Sequence, residues 1–459
     1  MIYRTLALAV VFYGSAAYAQ SENKVAIKVG TIKAAEQCTF YQGIRYNSKS
    51  SSSGSSSAYA SGSGSGYAGA YGVAGNVTYG DSSYYSWNTV RTLDFSGATT
   101  LRSADRTFTA NTGVRFSGAG IGEDAAGRGF TKAGEGKMTL AGTNTYTGNT
   151  VVAYGTLATE GDNRLSSTAI IDVQNLSTYD PWNPYRNDSY LFTTLQIGGA
   201  ETLNSFVTAG KTKANSGTID LNGAAAVLTT GTTGGDTTLI GRITGAGRIV
   251  KEGAGALTLT GATNHVYWYH DSGYGWRNAN GDFQSTFTGG ITLNGGTLQL
   301  AGNSGFGGAL SVVTLNAGRL SSDSTGGRSF NNPLVFNADV PLGSLTKTGA
   351  MHNAGTVDLG GVNRTLLTDS DFSFSGVVSN GGLNKTGAAT LTLTGANTYV
   401  GPTTLNAGWI RIGNNSGVGT STAFSTSAVT LNAGRLSSNN GNNNAYTLAN
   451  AITLGGNVA

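Results

Sequence analysis

The sequence predicts an all-β protein: a right-handed parallel β-helix, or solenoid, preceded by an N-terminal arm and a Ser/Gly-rich linker. Three observations predict it. Short apolar–Thr alternations recur along the chain, turn residues punctuate them, and whole segments repeat in register. Alternation with period two marks strands, and TLDFSG, KMTLAG, GTIDLNG, ALTLTG, ITLNGG, VVTLNAG, TLTLTG and AVTLNAG are the clearest. These runs are too short and too numerous for a βα alternation, and no segment combines helical periodicity with caps. An antiparallel sandwich also uses short Gly-bounded strands, but it does not call for repeats that stack into ladders.

Composition narrows the field further. The chain has 459 residues with 71 Gly, about twice the usual share. Charged residues are 11%, against about 25% in an ordinary soluble domain. A long charged helix or coiled coil is excluded. So is collagen, because Gly has no three-residue period and Pro numbers only 5. Cys38 stands alone, so disulfide stapling is excluded. A dispersed net charge of +4 argues against a nucleic-acid partner.

In chain order, residues 1–19 (MIYRTLALAVVFYGSAAYA) read as a signal peptide. Arg4 precedes a short apolar core, Ala17-Tyr18-Ala19 offers a small-x-small cleavage site, and the apolar run is too short to span a bilayer. The mature chain is therefore expected to be exported. Residues 20–47 carry mixed charge and read as a small cap or arm. Residues 48–89, rich in Ser, Gly and Tyr, read as a flexible linker, because the tract has too little apolar surface to offset its ordering entropy. The solenoid is expected over 90–459, with clear repeats at 127–173, 245–323 and 376–459.

Three segments align: TKAGEGKMTLAGTNTYTGNTVVAYGTL (131–157), VKEGAGALTLTGATN resuming as TFTGGITLNGGTLQL (250–264 and 286–300), and NKTGAATLTLTGANTYVGPTTLNAGWIRI (384–412). Lys132, Lys251 and Lys385 correspond, as do Leu140, Leu259 and Leu393, and Gly142, Gly261 and Gly395. After the first strand come Tyr146, Phe287 and Tyr399, then Gly155, Gly296 and Gly408. VTLNAGRLSS occurs at 313–322 and 429–438, and SLTKTGAMHNAGTVDL (344–359) reads as a decayed copy. Each unit has one apolar stripe that it cannot bury alone, so stacking must bury it. Asn144 and Asn397 suit turns or inward Asn ladders. At roughly 20 to 25 residues per coil, about 16 coils and a rod near 75 Å are expected.

The pattern K-x-G-x-G-x-L-x-L-x-G-x-N-x-Y-x-G-x-T resembles the passenger-associated transport repeat of bacterial autotransporters, the type V secretion proteins. The resemblance implies a β-helical passenger at the cell surface, the outer membrane or the outside of a Gram-negative bacterium. It also implies a membrane β-barrel translocator as partner and a repeat that assists outward folding. The chain stops at LANAITLGGNVA in mid-repeat, so a longer protein continuing beyond residue 459 is expected, with a stand-alone secreted repeat protein whose edge a partner covers as the alternative.

Catalysis is not expected. Ser304 in AGNSGFGG resembles the surroundings of a protease nucleophile, but only His265, His270 and His352 could act as base, and the same turn recurs as NNSG (414–417). One Cys and three scattered His make no metal site, and no cofactor is implied. Asp369 and Asp371 could form the paired carboxylates of a carbohydrate-active β-helix enzyme, although TDSD also makes an ordinary turn. Binding is expected at two aromatic insertions instead. One, HVYWYHDSGYGWRNANGDFQST, splits the second repeat and holds Tyr267, Trp268, Tyr269, Tyr274 and Trp276. The other, STYDPWNPYRNDSYLF (177–192), holds Tyr179, Trp182 and Tyr185. Tyr and Trp faces beside Asn, Asp and Arg suit a glycan or a cell-surface protein, or they fold back to cover the rod. The expected function is a non-catalytic passenger in adhesion or aggregation, with a carbohydrate-active enzyme or a passive scaffold as rivals.

Overall fold

The computed structural model describes residues 92–174, 193–206, 217–261, 265–271, 275–281, 284–303, 305–413, 419–420, 423–438 and 446–456, with short strands at 38–42, 56–60, 71–73 and 77–79. Among them every strand pairing is parallel except one hairpin, and no helix occurs. Parallel pairing without helical crossovers leaves one solution: the chain winds forward and lays each strand on its counterpart one turn earlier. The molecule is a parallel β-solenoid of about 13 turns.

The largest sheet has 11 strands and runs from Ala200–Thr202 to Ile452–Leu454. Its register keeps equivalent residues above one another. Ile249 pairs with Ile291, Ile291 with Val313, Val313 with Leu334, and Leu334 with Val357. All five are buried, whereas their neighbours Val250, Thr292, Thr314 and Val335 lie partly exposed on the outer face. The period-two pattern read from the sequence is thus the inside–outside alternation of a stacked ladder.

Coils free of the insertions vary in length, from 19 residues between Met138 and Leu157 to 24 between Arg106 and Phe130, with 21 from Val313 to Leu334 and 22 from Ile291 to Val313. Two steps are longer: Ile249 reaches Ile291, and Leu157 reaches Leu195, only across the two insertions. Because Leu157 pairs directly with Leu195 and Ile249 with Ile291, the added length brings no added turn to these ladders, one reason why about 13 turns form where about 16 were expected.

Inside, aromatic rings continue the stacking. Phe95 and Phe116 stack at 5.5 Å, and Phe108, Phe130 and Tyr146 follow at 5.7 and 5.2 Å. Such pairs add about 0.5–1.5 kcal/mol each beyond area burial. In the arm and linker, Ser56–Ala60 and Val77–Tyr79 pair with Cys38–Gln42, Tyr71–Val73 pairs with Thr99–Leu101, and Val77–Tyr79 pairs with Phe108–Ala110. The linker expectation for 48–89 therefore meets short strands that join the ladders, where Tyr and Val interrupt the Ser/Gly tract. The signal peptide at 1–19 lies outside the described residues.

Candidate functional site

The aligned residues of the three repeats build one arrangement three times. The first strand of each repeat, Phe130–Ala133, Arg248–Lys251 or Val378–Thr386, carries its lysine at an inward position. Lys132, Lys251 and Lys385 are all 0% exposed. Their register partners are apolar or Thr: Phe108 and Val152, Thr230 and Leu293, Leu366 and Leu405. An ammonium cannot stay in such a column without acceptors. It finds them at the corner, where backbone carbonyls converge.

Lys132 Nζ donates to the carbonyls of Gly134 at 2.5 Å and Tyr154 at 2.7 Å. Lys385 Nζ donates to Thr386, Gly387 and Ala407 at 2.7, 2.9 and 3.1 Å. Lys251 Nζ donates to Glu252, and to Gly253 and Gly295 at 3.0 and 3.5 Å. In each case the last acceptor belongs to the next coil and immediately precedes the repeat glycine, Gly155, Gly296 or Gly408. Those glycines sit at φ +69°, +66° and +69°, a conformation that turns the chain at the cage and that other residues adopt at a cost. Burial pushes Lys132 down to about 7 and Lys385 to about 8. It lowers Lys251 as well, against the opposing charges of Glu252 and Asp236.

Leu140, Leu259 and Leu393 are fully buried beyond the cages. Gly142 and Gly395 mark close approach between coils: an added Cβ would lie 2.6 Å from the Gly118 oxygen and 2.1 Å from the Gly376 oxygen. Gly261 instead adopts φ +62°.

Two further features went unread in the sequence. Tyr146 and Tyr399 are buried, and their hydroxyls meet Thr150 Oγ1 and Thr403 Oγ1 at 2.8 and 2.7 Å. In the second repeat the same pair is Phe287 and Ile291, both buried. The hydroxyl and its partner are replaced together, so neither is left unsatisfied. The signal was available as Y-x-x-x-T against F-x-x-x-I. The second feature is the reach of the repeat asparagines. Asn144 accepts from Ile121 N at 2.7 Å and donates to Arg164 O at 2.7 Å. Asn397 accepts from Val378 N at 2.8 Å and donates to Ala423 O at 2.7 Å. Each therefore bonds the coil before and the coil after its own. Outward ladders form too: Asn337 donates to Asn316, Asn316 to Asn294, and Asn294 to Glu252, at 2.8, 2.8 and 2.6 Å.

Glu201 also turns inward and is 1% exposed. Its carboxylate accepts from Arg164 N at 2.9 and 3.0 Å and from Leu165 N at 3.1 Å. Burial nonetheless pushes its carboxyl up to about 7.

The candidate catalytic groups are occupied structurally. Arg319 Nη1 contacts Asp369 Oδ2 at 2.5 Å, and Asp371 accepts from Thr390 N at 2.9 Å. His352 stands between Ser373 Oγ at 2.7 Å and Ser375 Oγ at 3.2 Å. Ser304 lies outside the described residues. In the decayed copy, Lys347 enters no cage and donates instead to Gln299 Oε1 at 2.8 Å.

The aromatic insertion in the second repeat is an antiparallel hairpin, His265–Asp271 with Gly275–Gly281. Tyr269 is paired with Arg277, His270 with Trp276, Trp268 with Asn278 and Tyr267 with Ala279. Tyr274 lies outside the described residues, as do Tyr179, Trp182 and Tyr185 of the other insertion.

The passenger-associated-transport-repeat family model matches residues 130–158, 249–266, 281–300 and 383–412. Those four segments are similar to passenger-associated-transport repeats. The matched segments hold all three lysine cages, and the second match breaks between 266 and 281, within the hairpin. Beyond the transport repeats, the chain is similar to the Adhesin BmaC autotransporter of Brucella suis biovar 1 (strain 1330), 30% identical over 314 residues. That similarity covers 67% of this chain and 7% of the relative, so the chain spans a small part of that protein's length. No solved structure matches the chain.

Proposed function

We propose that this chain is a non-catalytic stretch of an exported autotransporter passenger that serves adhesion at the surface of a Gram-negative cell. The observation that carries the reading is the conjunction of a transport-repeat solenoid with similarity to a named autotransporter adhesin. A stacked rod holds loops at fixed positions, where binding residues are commonly placed. In this reading a membrane β-barrel translocator is the partner in export. The hairpin at 265–281 and the aromatic insertion at 177–192 contact the ligand, a glycan or a cell-surface protein. The engagement of Asp369 by Arg319 and of Asp371 by Thr390 N supports a non-catalytic role over a carbohydrate-active one.

Deleting 265–285 tests the proposal. The variant should keep the β-rich circular dichroism of the parent while losing attachment to glycan arrays or cultured cells. Unchanged attachment would remove the hairpin from the adhesive surface. Polysaccharide turnover that disappears in an Asp369→Asn/Asp371→Asn variant would replace adhesion with the enzymatic reading.

A further inference from the structure

We infer that the repeat lysines are register pins: each selects, among near-identical coils, the one alignment in which the next coil's turn closes a carbonyl cage around its ammonium. The hazard they answer is built into the chain. VTLNAGRLSS stands at both 313–322 and 429–438, and TLN or TLT triplets recur throughout. A slip of one residue between coils would turn every apolar side chain outward, and burial forbids it. A slip of two keeps the faces correct and places one aliphatic residue over another, so the apolar columns discriminate against it only weakly.

A buried ammonium discriminates strongly. Lys132, Lys251 and Lys385 each lie in an interior column with no exposed surface. Their own coils supply Gly134, then Glu252 and Gly253, then Thr386 and Gly387 as acceptors. The final acceptor, Tyr154, Gly295 or Ala407, comes only from the following coil, at the residue before its positive-φ glycine. Displacing that coil by two residues moves the carbonyl away and leaves donors unpaired in an apolar interior, the costly arrangement for a buried charge. A single buried polar residue fixes register in coiled coils by the same logic. Lys347 shows the contrast: in the decayed copy the lysine bonds the side chain of Gln299 and enters no carbonyl cage. This inference does not depend on adhesion.

The test uses the full chain with Cys38→Ser and Lys132→Met, since Met is unbranched and fills the space of the lysine stem. Thr131 and Val151 are register partners across the coils that the cage joins. A Thr131→Cys/Val151→Cys pair reports the native register, and a Thr131→Cys/Ala153→Cys pair reports the two-residue slip. After refolding from urea and oxidation, Lys132→Met should form the native cross-link severalfold less and the slipped one severalfold more than the lysine parent, with an unfolding midpoint no lower. An unchanged cross-link pattern would overturn the inference at any stability. If Lys132→Met does not fold, Lys251→Met is read through Val250→Cys with Thr292→Cys, native partners, or Asn294→Cys for the slip. Failure of both variants to fold would assign the lysines to stability rather than to register and would overturn the inference as well.

Discussion

Replacing Tyr399 by Phe removes one hydroxyl from the interior of the solenoid and strands the group it faces. Tyr399 is 0% exposed, as is Thr403, and their oxygens are 2.7 Å apart. The contacts left to them are long: Tyr399 to Ala423 O and Thr403 to Ser427 Oγ, both at 3.4 Å. A buried polar group without its partner costs about 1–3 kcal/mol. Tyr399→Phe and Thr403→Val should therefore each destabilise by about 1–2 kcal/mol. The double variant imitates the Phe287/Ile291 pair that the second repeat already uses, and no stranded hydroxyl remains. It should cost well under the sum of the singles, giving a coupling energy of about 1–2 kcal/mol. Equilibrium urea unfolding by circular dichroism supplies the cycle, and hydrogen exchange across 397–412 gives the local readout that a repeat protein requires, because its unfolding need not be two-state. Additive costs would show that the hydroxyl pair is not the unit of stabilisation.

Three other expectations follow from the same geometry. The carboxyl of Glu201 titrates at about 7 when folded, against an ordinary value of 4.5, so the folded chain holds a proton that the unfolded chain releases within that window. Stability contributed by this group is present below the lower value and is lost as pH rises towards the upper one, by about 3 kcal/mol in all. Glu201→Gln should flatten that limb of a urea-midpoint against pH profile, and an unchanged slope would refute the assignment. Gly408→Ala places a Cβ 2.2 Å from the Gly387 carbonyl oxygen at φ +69°. The left-handed conformation alone costs about 1–2 kcal/mol, and the backbone clash adds to it, so hydrogen exchange at Trp409–Ile412 should quicken markedly. Asn397→Asp keeps the acceptor for Val378 N–H but turns an oxygen towards Ala423 O. It should lower stability by about 1–3 kcal/mol, less at acid pH where the carboxyl can donate, as a thermal melt at two pH values would read.

The hairpin at 265–281 was legible as an insertion, because it splits a repeat, but not as two paired strands. Its residues HVYWYHD and GWRNANG are separated in sequence by Ser272-Gly273-Tyr274, and an aromatic run of that length reads equally as a loop. The lysines illustrate the opposite case. Their recurrence was plain from alignment alone, yet a lysine between a strand and a glycine normally signifies a solvated turn. Burial emerged only when two coils, 22 residues apart in sequence at Lys132 and Tyr154, brought their carbonyls to one point.

The solenoid and the inward and outward faces of its strands were legible in the sequence, because they depend on period-two patterning and on local glycine conformations that neighbouring residues carry. The solenoid also explains the scarcity of charge: stacking sets like above like, and a repeated charge would repel its copy down the ladder. Tertiary structure alone decided which lysines are caged, which asparagines tie three coils together, and that Asp369 is held by Arg319, 50 residues away. Each of these is a contact between turns. Its partner is fixed by the length of the coil rather than by any residue nearby in sequence, so coil register, not local pattern, carries that information.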